Sequence, residues 1–407
     1  MKNNWEIKKL GEVCIIKGRI GYRGYTKQDI VEKGNGAISL SPSNIKDNNA
    51  YFDKCTYVSW DKYNESPEIM IYPGDIVYCK TASIGKMALI ESLPEKMTLN
   101  PQFVVLKEIK CLNKFLYYFM ISKNFKSQIA RIIGGTAIPT LSQENLGNLN
   151  IPIPLLATQK LIVSILDKSF EKISKAKENA EKNLKNSKAL FESHLQSVFE
   201  NKGEGWEEKT LGEVCEIDPK KSEIKGIART EMVSFLPMRD LGILQKQTVP
   251  KETRKLSEVT GSYTYFAEND ILLAKVTPCF ENGKLGIAKN LKNGIGFGSS
   301  EYIVFRPLGK ISSEYLFYLL SSNNFRNNGK KLMFGACGLK RLSKDYVQSA
   351  LIPIPSIKEQ KSIVSKLDAL SAETKKLESI YQQKLNDLEE LKKAILQKAF
   401  NGELTGD

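Results

Sequence analysis

Few side chains of this 407-residue chain suit acid–base, nucleophilic or metal chemistry. It has one histidine, His194, and seven scattered cysteines (14, 55, 79, 111, 215, 279 and 337) without a C-x-x-C pair. A single histidine excludes most histidine-based catalysis and zinc ligation. An odd, unpaired cysteine set argues against a disulfide framework. We therefore expect no catalytic centre, no metal site and no cofactor.

Two segments superficially resemble ligand sites. Gly294-Ile-Gly-Phe-Gly298 is glycine-rich, but it lacks the strand–turn–helix context of a nucleotide site, and the chain has no G-x-x-x-x-G-K-[ST] loop. Asn100-Pro-Gln-Phe103 resembles the Asn-Pro-Pro-Phe motif with which adenine methyltransferases hold a flipped base. Its third residue is glutamine, and no glycine-rich cofactor loop precedes it. We interpret it as the entry to a strand.

An internal repeat organises the chain. Trp5-Glu-Ile-Lys-Lys-Leu-Gly-Glu-Val-Cys14 returns as Trp206-Glu-Glu-Lys-Thr-Leu-Gly-Glu-Val-Cys215, with eight of ten residues identical at an offset of 201. Ile151-Pro-Ile-Pro154 returns as Ile352-Pro-Ile-Pro355 at the same offset, followed in both copies by Gln-Lys and Leu-Asp pairs. The interiors match loosely. The chain is a tandem duplication, and His194 corresponds to Ile395, which favours a packing or surface role.

Each repeat divides into a globular part and a helix. Runs such as Tyr57–Trp60, Asp75–Tyr78, Phe103–Leu106 and Tyr302–Phe305 are typical of strands. Leu112–Asn124 and Ser313–Asn324 are typical of helices with aromatic-rich faces. We predict a mixed α/β (α+β) fold with domains at 1–155 and 202–355 and long helices at 156–201 and 356–407.

The two helical stretches carry apolar seams with alternating three- and four-residue steps, the coiled-coil period. The first seam runs through Leu166, Phe170, Ile173, Ala180, Leu184, Phe191, Leu195 and Val198, and the second through Leu367, Leu370, Leu377, Tyr381, Leu385, Leu388, Leu391 and Ile395. A long amphipathic helix must bury its stripe. We expect the two helices to pair antiparallel with one domain near each end, related by a pseudo-twofold. Homodimerisation through either helix is the alternative.

The net charge of +14 lies almost entirely in the two domains. Residues 1–155 carry 20 basic and 14 acidic side chains, and residues 202–355 carry 23 and 17. Two equally basic modules suit a polyanion. The sequence has no apolar run long enough to span a bilayer and no signal-peptide pattern, so we expect a cytosolic protein.

Taken together, these motifs resemble the specificity subunits of type I restriction–modification enzymes across essentially the whole chain. The resemblance rests on the tandem Trp-x-x-x-x-Leu-Gly-Glu-Val openings, the Ile-Pro-Ile-Pro…Gln boundaries and the helices ending in Phe-x-Gly-Glu-Leu. Gly74-Asp-Ile76 and Asn269-Asp-Ile271, each followed by a lysine and a glycine-containing turn, also look like that family's target-recognition domains.

The resemblance implies a non-catalytic DNA-binding subunit. Each domain would read one half of a bipartite, asymmetric site on double-stranded DNA, and the helices would set the spacer. The helices would also dock two modification subunits, which bind S-adenosylmethionine and methylate adenine. A restriction (motor-nuclease) subunit would join to cut unmethylated DNA.

Three loops in each domain carry the residue types that contact bases and phosphates. The first, second and third loops comprise residues 17–25, 80–86 and 134–136 in the first domain, and residues 220–225 with Arg229, 275–284 and 338–341 in the second. A solvated charge in an ordinary surface loop is the alternative for each residue. The candidates in the first domain are Lys17, Arg19, Arg23, Lys80, Thr81, Ser83, Lys86 and Thr136. Those in the second are Lys220, Lys221, Lys225, Arg229, Lys275, Thr277, Lys284, Lys340 and Arg341.

Three other functions stay open at this point. A standalone two-headed DNA-binding or architectural protein would act without a methyltransferase partner. A scaffold would use its basic domains to bind RNA or protein. A methyltransferase with a degenerate site would itself bind S-adenosylmethionine.

Overall fold

The computed structural model describes residues 5–19, 21, 24–133, 140–336 and 338–404. The chain forms two compact units. Unit 1 comprises Met1–Ala180 and Gln383–Asp407, and unit 2 comprises Glu181–Gln382. Each unit contains one α/β domain, called here the first and the second domain, and a part of each of two long helices.

The first domain is built from short strands and helices, as its broken apolar runs predict. Its strands are β1 (Glu6–Lys9), β2 (Ile15–Gly18), β3 (Ile30–Val31), β4 (Gly36–Leu40), β5 (Ile45–Lys46), β6 (Asn49–Ala50), β7 (Thr56–Ser59), β8 (Ile76–Cys79), β9 (Met87–Leu89), β10 (Met97–Leu99), β11 (Phe103–Lys107) and β12 (Asn150–Ile153). Its helices are α1 (Leu10–Val13), α2 (Trp60–Asn64), α3 (Asn113–Ile121), α4 (Lys123–Ile132) and α5 (Gln143–Gly147), and the long helix α6 (Leu156–Glu200) follows.

The second domain repeats this order with local changes. Its strands are β13 (Glu207–Thr210), β14 (Cys215–Ile217), β15 (Met232–Leu236), β16 (Gln247–Thr248), β17 (Glu252–Lys255), β18 (Thr264–Ala267), β19 (Ile271–Ala274), β20 (Leu285–Ala288), β21 (Ile295–Gly298), β22 (Tyr302–Pro307), β23 (Phe334–Ala336), β24 (Leu339–Arg341) and β25 (Leu351–Ile354). Its helices are α7 (Leu211–Val214), α8 (Leu256–Val259), α9 (Ser313–Ser321), α10 (Asn323–Lys331) and α11 (Lys344–Ser349), and the long helix α12 (Ile357–Phe400) follows.

The sheets of the two domains share a core topology and differ at their edges. One sheet has the order β2-β11-β8-β9 in the first domain and β14-β22-β19-β20-β16 in the second. The other contains β10-β4-β7 in the first domain and β21-β15-β17 in the second, each with one parallel and one antiparallel pair. β3 extends the first domain's sheet beside β7, whereas β18 extends the second domain's sheet beside β21. The duplication therefore preserved the centre of each sheet and altered its edges.

The nearly identical ends of the two repeats pair with each other within each domain. β1 pairs antiparallel with β12, with Glu6 opposite Ile153, and β13 pairs with β25, with Glu207 opposite Ile354. The opening motif and the Ile-Pro-Ile-Pro motif thus form one two-stranded sheet that closes each domain. Proline fits there because a two-stranded sheet consists of edge strands only.

The long helices pack antiparallel, as the seams predict. In unit 1 the start of α6 (Ile162, Leu166) and the end of α12 (Leu396, Phe400) enter one hydrophobic core with the first domain. In unit 2 the end of α6 (Leu195) and the start of α12 (Leu367) enter the core of the second domain. The mixed α/β fold with a repeated domain and two long antiparallel helices is therefore confirmed. In the described part of the chain, no helix combines the length and the apolar character needed to cross a membrane.

Two details differ from the sequence predictions. Leu377 and Leu391, placed in the second seam, are 38% and 47% exposed. Each predicted aromatic helix is two helices, because Ser122 and Ser322 adopt extended backbone and cap the next helix by accepting a hydrogen bond from the backbone N–H of Phe125 and Phe325. The apolar pattern continues up to Ser122 and Ser322 and therefore did not predict this break.

Candidate nucleic-acid interface

The second candidate loop contacts the third one in the second domain, and in the first domain it contacts the described residues Thr140 and Leu141. The backbone carbonyl of Lys80 accepts a hydrogen bond from the N–H of Leu141 at 2.8 Å, and that of Lys275 accepts one from Leu342 at 2.8 Å. Thr81 also pairs with Thr140, and Val276 with Arg341, as isolated bridges. The loop after the central strand and the segment before α5 or α11 therefore form one surface in both domains.

A third segment, the turn that enters β11 or β22, completes this surface. The backbone N–H of Lys80 donates to the carbonyl of Gln102 at 2.8 Å, and that of Lys275 donates to Glu301 at 2.9 Å. The Asn100 carboxamide oxygen accepts from the N–H of Gln102 at 2.9 Å, and its amide donates to the Tyr25 hydroxyl at 3.0 Å. The segment Asn100–Phe103 thus builds a turn, in the way interpreted from the sequence.

The first loop of the first domain contains one buried arginine. Arg19 is 6% exposed, and it donates to the carbonyl of Leu99 and the hydroxyl of Thr98, both at 3.2 Å. Its guanidinium lies 5.4 Å from the ring centroid of Tyr25, and burial lowers its pKa. In this arrangement Arg19 holds the loop against β10, whereas Lys17 on β2 is exposed. Arg23 and Thr136 lie outside the described residues.

The loop of residues 80–86 is a tight turn with one tethered lysine. Ala82 adopts a left-handed backbone (φ 61°), and the N–H of Ser83 donates to the carbonyl of Thr81 at 2.7 Å. Lys86 is exposed, yet its ammonium donates to the carbonyl of Pro42 at 2.9 Å. The ammonium of Lys80 has no hydrogen bond or ion pair with a described residue.

The corresponding loop of the second domain is tethered in the same way. Lys284 donates to the carbonyl of Met238 at 2.6 Å, which matches the bond from Lys86 to Pro42. Lys275 donates to the carbonyl of Ser300 at 2.8 Å, and the hydroxyl of Thr277 donates to Glu281 at 3.4 Å. These lysines fix loop geometry as well as carrying charge.

The first loop of the second domain offers free cations. Lys220, Lys225 and Arg229 are exposed, and their side chains form no hydrogen bond or ion pair with the residues that the structure describes. Lys221 instead donates to the carbonyls of Thr260 at 2.7 Å and Gly261 at 3.3 Å.

The third loop of the second domain is a two-stranded ribbon, β23–β24, which carries Lys340 and Arg341. Lys340 is exposed. Arg341 makes a bidentate pair with Glu301, with guanidinium–carboxylate distances of 2.7 to 3.2 Å. The pair lowers the pKa of Glu301 and raises that of Arg341. The positive charge of Arg341 is therefore already balanced by the carboxylate of Glu301 within the domain.

Sequence reasoning missed a basic cavity in the first domain. An open cavity of about 810 Å³ is surrounded by Lys46, Lys86 and Lys126 and is lined by apolar side chains including Ile84. The hydroxyl of Tyr78, which also lines it, is buried without a hydrogen-bond partner. The turn-forming residues Asp47 and Asn48 beside Lys46 were visible in the sequence, and both adopt positive φ in the structure.

Sequence reasoning also left the repeated Gln and Asp residues of the helices without a role. The Gln159 carboxamide accepts from the N–H of Leu112 at 2.9 Å and donates to the carbonyl of Pro154 at 2.9 Å. Gln360 accepts from Ser312 at 2.8 Å and donates to the carbonyls of Lys310 at 2.9 Å and Pro355 at 3.0 Å.

The repeated aspartates lie about two helical turns beyond the glutamines. Asp167 accepts from the Tyr118 hydroxyl, and Asp368 accepts from that of Tyr318 at 2.5 Å and from Lys246 at 2.6 Å. Burial, and then the adjacent carboxylate, raise the pKa of both tyrosines. These bonds fix each domain to its helix within each unit.

The described residues include no group of three or more His, Cys, Asp or Glu side chains placed to hold a metal ion. The cysteines among them are free. Burial raises the pKa of Cys14 and Cys215 to about 12 and that of Cys111 to about 11. These three thiols stay protonated near neutral pH and are poor nucleophiles.

Comparison with known proteins gives consistent matches. Residues 2–183 and 203–390 each match the family model described as the type I restriction modification DNA specificity domain. A 187-residue segment is 37% identical to the EcoAI specificity subunit of Escherichia coli, covering 46% of this chain and 31% of that protein. The chain therefore spans about a third of the first curated relatives it matches.

Other relatives match over nearly their whole length. The EcoKI specificity subunit of Escherichia coli K12 is 24% identical over 100% of this chain and 90% of its own. A solved chain from a study of assembly and conformational transition of the type I R-M system has a TM-score of 0.73, 21% identity and 98% coverage of both chains. The HsdS subunit from Thermoanaerobacter tengcongensis has a TM-score of 0.60 at 21% identity, covering 99% of this chain and 98% of that one. These two structures share the fold.

Proposed function

Because the chain belongs to the family of type I restriction–modification specificity subunits, we propose that it selects the DNA sequence on which a modification and restriction complex acts. Each domain reads one half of a bipartite, asymmetric site on double-stranded DNA in the cytoplasm. The long helices set the distance between the half-sites and dock two modification subunits. A restriction subunit completes the complex.

The observation that carries this proposal is the twofold recurrence of one backbone surface with different side chains. In both domains the same three segments are joined by the same backbone hydrogen bonds, from Leu141 to Lys80 and from Leu342 to Lys275. The side chains on those segments differ, as in Gln102 against Glu301. A constant frame with variable side chains suits two readers of different half-sites, since sequence is read through side-chain contacts with base edges.

The candidate cations divide into two roles in this proposal. Cations without a partner among the described residues contact phosphates or base edges, because their donors are available; these are the exposed Lys17, Lys220, Lys225, Arg229 and Lys340 and the half-buried Lys80. Cations bonded to backbone carbonyls hold the loops in position; these are Arg19, Lys86, Lys221, Lys275 and Lys284. Arg23 and Thr136 remain candidates for contact on sequence grounds.

Thr81, Ser83, Thr277 and Arg341 complete the proposed surface. Thr81 and Ser83 lie in the tight turn next to Lys80, where hydroxyls suit phosphate contacts. Arg341 can contact a base only by sharing its guanidinium with Glu301, so we assign it the positioning of the ribbon.

The helices suit the roles of spacer and docking site. α6 contains 45 residues and α12 contains 44, so each extends about 65 Å at 1.5 Å per residue. Leu156 and Ile357 occupy equivalent positions at the two helix starts, and they are 54% and 39% exposed. Exposed apolar residues at equivalent positions support the docking of two copies of one partner.

The methyl transfer and the strand cleavage belong to the partners in this proposal. S-adenosylmethionine binds to the modification subunits, and this chain contributes sequence selection alone. The test is a genome-wide map of adenine methylation in cells with and without the chain. Loss of methylation at one two-part asymmetric motif on deletion is the expected result. An unchanged map in cells that express a paired methyltransferase would contradict the proposal.

A further inference from the structure

The ribbon β23–β24 of the second domain projects an apolar face that nothing in its unit covers. Phe334 is 63% exposed and Leu339 is 51% exposed. Ala336, which lies opposite Leu339, is exposed as well, and Arg341, which lies opposite Phe334, is half-buried. Exposed apolar side chains grouped on one short element generally mark an interaction site.

The register of the ribbon separates two faces. Phe334 lies opposite Arg341, and Ala336 lies opposite Leu339, so these four side chains share one face. Gly335 lies opposite Lys340 on the other face. One face is therefore apolar along most of its length, and the other carries a free cation.

The base of the ribbon is anchored in the core of unit 2. Met333 and Leu342, which flank the two strands, are 8% and 3% exposed and belong to the core of unit 2. Gly335 has φ 134°, and a Cβ there would lie 2.5 Å from the carbonyl oxygen of Leu339. The close approach of the strands thus requires glycine, which keeps the ribbon narrow and its apolar face fixed.

The surroundings of the ribbon are basic and belong to the proposed DNA surface. Lys330 and Lys331 at the end of α10 are exposed, as is Lys340, and none of the three has an ion pair with a described residue. The carbonyl of Lys340 accepts from the N–H of Thr277 at 2.9 Å, which joins the ribbon to the second candidate loop.

We propose that the ribbon enters the major groove and that Phe334 and Leu339 contact the 5-methyl groups of thymines in the half-site read by the second domain. The inference rests on the proposed function. The major groove admits a two-stranded ribbon, and the thymine methyl is its apolar feature. Lys330, Lys331 and Lys340 then face the phosphates along the groove walls.

The test uses the assembled modification complex and duplexes that carry its methylated motif. In a second set of duplexes, deoxyuridine replaces each thymine of one half-site, which removes only the 5-methyl group. We expect the wild-type complex to bind about fourfold more weakly for each lost methyl contact, in one half-site only. The double variant Phe334→Ala, Leu339→Ala binds both sets equally.

Two matched variants separate the apolar contact from other effects. Leu308→Ala removes a leucine of the same domain that is 55% exposed, and it retains the preference for thymine. Lys340→Ala weakens binding to both duplex sets alike, because a phosphate contact carries no base information.

Three results would overturn the inference. The double variant could retain the preference for thymine, the wild type could lack it in both half-sites, or the double variant could bind both sets much more weakly than the wild type binds the deoxyuridine set. In each of these cases a complex that still binds its two-part motif leaves the proposed function intact. A complex without any motif preference would contradict both.

Discussion

In the first domain the loop of residues 80–86 borders an open cavity, whereas in the second domain side chains occupy the space beside the equivalent loop. In the first domain a Cβ at Gly85 would have open space around it, and Lys126 nearby is exposed. In the second domain the Cβ of the equivalent Gly283 would lie 2.9 Å from Leu244 and 3.5 Å from Arg326. Two side chains therefore occupy the place that the first domain leaves open.

The frame around that place is nevertheless the same. Lys86 and Lys284 each donate to a carbonyl of the 3₁₀ turn that follows the buried strand β4 or β15. This bond is independent of the side chains that point outward from the turn. The comparison teaches that the duplicated unit conserves the contacts that hold its loops and leaves the exposed side chains free to diverge.

The largest effect is expected from exchange of a whole domain. Replacing residues 1–155 by those of another family member with a different motif should change one half of the methylated sequence completely and leave the other half unaltered. The measurement is a methylation map of cells carrying the chimera. A change in both halves would show that the domains do not read independently.

A large stability effect is expected where the two units are alike. Gln159→Leu and Gln360→Leu each leave buried backbone groups without partners, because these carboxamides are 4% and 0% exposed. We expect each to cost about 3 kcal/mol and to lower the thermal midpoint seen by calorimetry. Gln397→Leu on exposed helix surface is the control. A substantial difference between the first two variants would contradict the equivalence of the two junctions.

A smaller and unequal effect is expected at the cavity. Lys46→Ala with Lys126→Ala should weaken binding to all DNA sequences, and it should reduce the slope of log affinity against log salt by about 0.9 for each lost phosphate contact. Lys172→Ala on α6 is the control.

The equivalent change in the second domain should act on stability instead. Arg326 donates to the carbonyl of Ser321 at 3.1 Å and to Asn323 at 2.7 Å, so Arg326→Ala should lower the thermal midpoint. A reduced salt slope in Arg326→Ala with an unchanged midpoint would reverse this assignment.

The smallest effect is expected from the ion pair that only one domain has. Arg341 holds the pKa of Glu301 below its usual 4.5, so the pair stabilises the second domain above that pH. The stabilisation is lost as the pH falls through the lowered pKa of the folded state. Glu301→Gln, which introduces the residue found at Gln102, should cost at most about 1 kcal/mol at pH 7.

The same substitution should flatten the acid dependence of stability below pH 4.5. Thermal midpoints measured from pH 7 to pH 3 test this, with the exposed Glu258→Gln as control. An acid dependence identical to that of the wild type would show that the pair contributes nothing.

The sequence predicted the architecture because its strongest signals are local and repeated. The offset of 201 between Trp5 and Trp206 marked the duplication, and the seams from Leu166 and Leu367 marked the helices. The pairing of β1 with β12 followed from neither signal, since a strand's partner depends on the whole fold. Leu377 and Leu391 were assigned to the seam because periodicity marks apolar residues without specifying which of them meet a partner.

The candidate interface was less predictable, because the sequence does not show where a side chain points. The glycine-rich context of Arg19 indicated an exposed loop, yet the carbonyl of Leu99 and the hydroxyl of Thr98 draw the guanidinium inward. Lys86 and Lys284 looked like free cations, and both bind backbone carbonyls. Lys46 and Lys126 are 80 residues apart and meet only in the folded domain.

The last turn of α12 carries a consequence for biosynthesis. Phe400 is 1% exposed and packs between Phe115 and Phe119, with ring centroids 5.5 and 5.3 Å apart. Unit 2 is one continuous stretch of chain, whereas unit 1 includes residues from 383 onward. During synthesis unit 2 can therefore complete its core before unit 1 does. The first domain is synthesised earlier, but its core is complete only after the last turn of α12 has been made.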